Sequence, residues 1–160
     1  MSTFTKPPRA DMTVAEADEA MRHHYRTFYA SCYGAPIMQT MRATGLDVAA
    51  KTVVLTFPVT DTMLNPVGTL HGGAIVMIAD TATSTALGFF EPAAFASVTV
   101  DLTCQFIGAS RPGDLVDVRC VVTKVGKSMA YMRFDFTEHG KPDKVLASGV
   151  HTKFVLKPKM

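Results

Sequence analysis

The segment Asn65-Pro66-Val67-Gly68-Thr69-Leu70-His71-Gly72-Gly73, with Asp80 just beyond it, is where residue types and spacing point to chemistry. Two glycines at the start of a helix let another group come close to the backbone, and the N–H groups of a first helical turn have no partner inside the helix. Aided by the helix dipole, such N–H groups can hold a carbonyl oxygen as it gains negative charge. Asp80 follows Gly72 by eight residues, ~12 Å at 1.5 Å rise per residue. Its neighbours at three- and four-residue spacing are Val76, Met77, Thr83, Ser84 and Leu87. A carboxylate on so apolar a face is costly unless paired or used. Each feature also has a plainer reading: a lone helical Asp is usually a surface residue, a Gly-Gly pair is often structural, and His71 can cap a turn as readily as take part in a reaction. Their combination on one helix is what singles the segment out.

The elements that must position these residues follow from periodicity. Residues 1–10 read as a frayed, proline-containing tail. Thr13 to Tyr33 reads as a helix, with Thr13 and Glu16 spaced as a capping box and Gly34 and Pro36 ending it. From Met41 to Thr60 the pattern has period two, punctuated at Gly45 and Lys51, with Val53, Leu55, Phe57 and Val59 on one strand face. His71 to Leu87 reads as a second helix, ending near Gly88, and its density of Ala, Thr and Ser suits a helix wrapped closely by a sheet. Strands follow over Val98–Phe106, Leu115–Val125, Ser128–Thr137 and Lys144–Val155, joined by turns at Arg111–Asp114, Gly126-Lys127 and Glu138–Asp143. Long strands joined by short turns pair antiparallel. The expected fold class is α+β: a long antiparallel sheet around a central helix, with an additional N-terminal helix. Residues 1–36 are expected to form the tail and helix, and 37–160 the main domain.

Composition removes several classes. The 160 residues are 48% apolar and 19% charged, the profile of a globular chain with a real core. A net charge of +2 does not imply nucleic acid, although an anionic small molecule remains open. Cys32, Cys104 and Cys120 form neither a zinc motif nor a disulfide framework. No apolar run approaches the roughly 20 residues of a membrane span, no signal core opens the chain, and a cytoplasmic location is expected. Gly126-Lys127-Ser128 imitates the end of a phosphate-binding loop, but Val121 stands where its first glycine belongs.

The string NPVGTLHGGAIVMIADTATSTAL resembles the hotdog-fold acyl-CoA thioesterases of the PaaI-like family and is particularly similar to the acyl-CoA thioesterase 13 group. SVTVDLTCQFIGASRPGD, the VGK turn and the closing ASGVHTKF extend the resemblance over about residues 38–156. It implies that the Gly72 N–H and Asn65 polarise a thioester carbonyl, that His71 supports the site and the leaving sulfur, and that Asp80 activates water or, alternatively, acts as nucleophile. Thr99 stands where relatives often have Ser, and it keeps the hydroxyl that helps hold the water. The same resemblance implies coenzyme A contacts at Phe106, Gly108, Arg111, Lys124, Gly126, Lys127, Ser128 and Met129. It further implies an Asp supplied by the opposite subunit, hence a homodimer and by extension a homotetramer. No metal or cofactor is implied, because coenzyme A enters with the substrate; a mitochondrial association known for some relatives is compatible. Acyl preference, medium- or long-chain fatty or aryl, stays open. Two rivals share the fold. A CoA-ester hydratase fails on the spacing of Asp61 and Asn65 from His71, and a non-catalytic acyl-CoA-binding module would not need Asp80 in the helix.

Overall fold

The computed structural model describes residues 3–156. Helix α1 (Val14–Thr27) and the short α2 (Ala35–Met38) precede strands β1 (Arg42–Asp47) and β2 (Thr52–Pro58). Helix α3 (Gly72–Phe90) comes next, and then β3 (Ser97–Phe106), β4 (Leu115–Val125), β5 (Met129–Glu138) and β6 (Lys141–Val155). The six strands form one antiparallel sheet in the order β1-β2-β4-β5-β6-β3. Its inner face closes on α3. Val53, Leu55 and Phe57, with Val116, Val118, Cys120, Met132, Phe134 and Phe136, are buried together with Ile78, Ala79, Ala82 and Ala86 of the helix. Small helical side chains let the sheet come this close. By length and composition α3 could also cross a membrane, and it is the sole such helix among the described residues; here most of it is core.

Three boundaries depart from the sequence reading. The N-terminal helix stops at Thr27, where the Thr27 hydroxyl donates to the carbonyls of His23 (2.7 Å) and His24. Pro36 then opens α2 instead of merely ending α1. Helix α3 runs through Gly88 to Phe90, because that glycine lies inside the helix to admit a ring. A Cβ there would sit 2.3 Å from Phe95 Cδ2. The tail, finally, is packed and not frayed at Thr3 and Phe4.

That packing centres on His24. Its ring is fully buried, stacked between Phe4 (centroids 4.5 Å apart) and Phe28 (5.2 Å), with Phe95 edge-on at 5.4 Å. Thr3 Oγ1 lies 2.8 Å from Nδ1, while Nε2 meets no hydrogen-bond partner among the described residues. Burial, with a small contribution from His23, pushes its pKa from 6.5 down to about 4. The unfolded chain therefore takes up a proton near pH 6.5 that the folded chain refuses until about pH 4. Stability must fall as pH drops through that window. Between pH 7 and pH 5 this histidine should cost on the order of 1–2 kcal/mol of stability. Urea unfolding of His24→Phe, which keeps the aromatic volume, should show a correspondingly flatter pH dependence than the wild type; equal slopes would refute the assignment.

Candidate active site

The loop before α3 is held from several sides. Asn65 Oδ1 accepts the N–H groups of Val67 (3.0 Å) and Thr69 (3.1 Å), and its Nδ2 donates to Thr69 Oγ1 (2.8 Å). One amide hydrogen of Asn65 is left over. Backbone bonds from Leu70 to Ser110 and from His71 to Met63, both 2.8 Å, fix the approach to the helix. His71 is the N-cap, its Nδ1 accepting the Gly73 N–H at 2.7 Å. The capping role is thus real, and it leaves the Nε2–H of an exposed ring facing outward. The Gly72 N–H donates to no protein group among the described residues. A Cβ at Gly72 would lie 3.2 Å from Phe106 Cε1, so the half-exposed Phe106 ring covers the helix start closely. A free N–H at a helix N-terminus under an apolar cover suits a carbonyl oxygen that is acquiring charge.

Two turns along the helix, Asp80 is 47% exposed and meets a polar cluster that the sequence reading assembled only in part. Thr99 Oγ1 donates to Asp80 Oδ1 at 2.8 Å. His151 Nε2 lies 3.0 Å from the same hydroxyl and 3.3 Å from Asp80 Oδ1. On its other side His151 Nδ1 is 2.6 Å from Thr83 Oγ1, whose own proton goes to the Ala79 carbonyl at 2.6 Å. The Lys153 ammonium donates to Ser84 Oγ at 2.8 Å and Thr99 Oγ1 at 3.4 Å, and stands 3.9 Å from Asp80 Oδ1. His151 and Lys153 are both buried. Burial, and then Lys153, push His151 down to about 4 against the opposing pull of Asp80 and Asp101. Burial lowers Lys153 while Asp80 raises it.

Counting protons explains what this chain can do. Ala79 O and the Asp80 carboxylate close its two ends as pure acceptors. Thr83 spends its proton on Ala79 O, so a neutral His151 must donate from Nδ1 to Thr83 and keep a lone pair on Nε2. Thr99 then has one proton for two acceptors, Nε2 and Asp80. The chain is one proton short: with the Thr99 proton directed to Asp80, the Nε2 lone pair of His151 is left without a donor. A proton gained by Asp80 would let Asp80 donate to Thr99 and Thr99 to His151, with every link filled.

The residues picked out from sequence fall into two groups. His71, Gly72 and Phe106 meet at the start of α3, Asn65 ties the turn that leads into it, and the Leu70–Ser110 bond brings the strand-to-strand loop with Gly108 and Arg111 to that end. Asp80, midway along α3, and Thr99 lie farther on, toward the β4–β5 turn. Thr99 pairs with Lys153, Lys153 with Ala130, and Val155 donates to Ser128 O at 2.9 Å. Lys124, Gly126, Lys127, Ser128 and Met129 belong to this second group, with Gly126 closing the turn onto Met129 O at 2.7 Å. Strand β4 alone, from Leu115 to Lys124, puts ~30 Å between the Arg111 loop and Lys124 at 3.3 Å per residue. Thr83, Ser84, His151 and Lys153 were missed. The available signal was the period of two in the last strand, which puts a histidine and a lysine on the inward face with Ala147. Among the described residues no three His, Cys, Asp or Glu side chains gather to hold a metal.

The thioesterase superfamily matches this chain at residues 67–141. Human acyl-coenzyme A thioesterase 13 is 30% identical over 112 residues, 70% of this chain and 79% of that protein. Zebrafish thioesterase superfamily member 2 superposes with a TM-score of 0.75 at 24% identity, covering 91% of this chain and all of that one. A Streptococcus mutans protein solved bound to acetyl CoA gives a TM-score of 0.64 at 20% identity, covering 75% of this chain and 91% of that one. The fold is therefore the hotdog fold that the resemblance implied.

The geometry assigns opposite tautomers to two histidines. Long-range proton–nitrogen NMR at pH 7 should find His71 protonated on Nε2, because its Nδ1 accepts from Gly73, and His151 protonated on Nδ1. An Nε2–H tautomer at His151 would overturn the proton count.

Proposed function

The chain belongs to the thioesterase superfamily, and we propose that it hydrolyses the thioester of acyl-CoA to a free acid and coenzyme A with Asp80 as general base. The observation that carries this reading is the one-proton deficit of the Thr83–His151–Thr99–Asp80 chain, which a proton taken up by Asp80 would fill. A water held by Asp80 and Thr99 attacks the thioester carbon, its oxygen forming the new C–O bond while one of its protons passes to the carboxylate. The carbonyl oxygen becomes an oxyanion facing the Gly72 N–H, with the spare Asn65 amide hydrogen beside it. Collapse breaks the C–S bond, the departing sulfur takes a hydrogen bond from His71 Nε2–H, and the proton held by Asp80 is released to complete the thiol. A thioester is already an activated acyl group, so this chain's own residues need only to place a base, a water and an oxyanion donor. Lys153 keeps a positive charge near the carboxylate throughout.

Gly72 and Asp80 lie ~12 Å apart on one rigid helix, too far for a single carbonyl to touch both. A homodimer answers this, one protomer giving Asn65, His71 and Gly72, its partner giving Asp80 and Thr99. Strand β3 supports it: one edge is unpaired among the described residues, and Val98 and Val100 on it are exposed. The two groups of coenzyme A contacts would meet in the same way, Arg111 from one protomer and Lys124 and Lys127 from the other, as cations for the phosphates. Exposed Tyr131, Val150 and Phe154 on the outer sheet face suit two such dimers forming a tetramer.

Thiol release should be measured across acetyl-, phenylacetyl-, octanoyl- and palmitoyl-CoA. Asp80→Asn, isosteric and still bonded to Thr99, should lose at least ~10²-fold in kcat; wild-type rates in this variant would exclude the base assignment. If acyl-CoA binds and no thioester is cleaved, a binding module becomes the better reading. Asp80→Asn and Asn65→Ala, each inactive alone, should regain up to about a quarter of wild-type activity when co-refolded, because half the sites of a mixed dimer are intact. No recovery in verified mixed dimers would contradict the shared site.

A further inference from the structure

Asp80 also lines the larger of two clefts along α3, one of about 570 Å³, within the range of small-molecule sites. Asp80, Ser84 and Lys153 lie at one side of it, and Phe28, Tyr29 and Phe95 form its apolar wall. The second cleft, of about 480 Å³, borders His71, Gly73 and Met77 at the opposite end of the helix and lacks Asp80. Tyr29 lies close enough to feel the carboxylate: burial, and then Asp80, push its phenol up to about 12. The wall is also stiff, because Phe28 packs edge-on against Phe95 at 5.0 Å and stacks on His24 at 5.2 Å.

Three substituents leave the reacting carbon. The oxygen is committed to the Gly72 N–H, and the sulfur leads out under Phe106 toward the charged rim. The remaining substituent must pass along Asp80, and the apolar space that Asp80 borders is this cleft. We infer that the cleft walled by Phe28, Tyr29 and Phe95 takes the acyl group, selecting an aliphatic chain of medium length over acetyl. The inference rests on the thioesterase reading. Phe28 and Tyr29 lie outside the residues that the superfamily matches, so part of this wall comes from the end of α1 and the residues just after it.

The test fills the cleft from its rim. Ala96 and Ala93 both line it and are exposed, so Ala96→Phe narrows it with little demand on the core, and Ala93→Phe is the second variant should the first not fold. The wild type should prefer octanoyl-CoA to acetyl-CoA in kcat/KM. The filled variant should lose at least ~10-fold on octanoyl-CoA and stay within ~3-fold on acetyl-CoA, since pocket contacts discriminate chains on this scale. An undiminished octanoyl rate, an equal loss on both substrates, or a wild type that favours acetyl-CoA would each overturn the pocket assignment while leaving the thioesterase reading in place. A wild type that cleaves no acyl-CoA would overturn both.

Discussion

The close approach of one helix to one sheet is the constraint on which the molecule depends. Ala79, Ala82 and Ala86 present so little bulk that β4, β5 and β6 pack directly against the α3 backbone. That proximity brings Thr83 within 2.6 Å of His151 on β6, a bond across 68 residues of sequence. From this bond the polar chain continues through Thr99 to Asp80, so helix, last strand and edge strand are locked together at the point where chemistry is wanted. A larger residue at any of these alanines would part the layers and break the chain of hydrogen bonds with them. Fold and site are thus the same packing problem.

The N-terminus and the middle of α3 divide the labour. Its N-terminus offers an N–H under Phe106 with no partner among the described residues, and its middle offers a carboxylate at the end of a chain one proton short. A helix cannot bend to bring them together, which is why symmetry enters the proposed mechanism as a geometric necessity and not as an accessory. The unpaired edge of β3 is then more than a sheet margin. Thr99 sits on it, so in the proposed mechanism the contact that would join two protomers and the hydroxyl that would hold the water belong to one strand.

Much of this was legible in the residues. Alternation placed the strands to within a few positions, and the Gly-Gly pair marked the start of α3. Asp80 stood out as a carboxylate on an apolar face. What escaped notice was tertiary. Gly88 looked like a stop because the sequence does not reveal that Phe95 folds back onto it. Thr3 and Phe4 looked frayed because their partner, His24, lies in another element. His151 and Lys153 were the more instructive omission: the period of two already turned them inward, and a buried histidine and lysine on one strand face ask for a partner that only the fold could supply.

The cleft beside Asp80 is bounded by side chains from four separate stretches of chain, whereas the proton chain draws on α3, β3 and β6. Substitutions at positions 28, 93 or 96 touch no hydrogen bond of that proton chain and leave Tyr29, which feels Asp80, in place. The molecule is therefore partitioned for evolutionary drift: its wall can be recut for a new acyl group by single steps, each leaving the hydrolytic apparatus undisturbed, so that descendants of this sequence could diverge in diet without passing through an inactive ancestor.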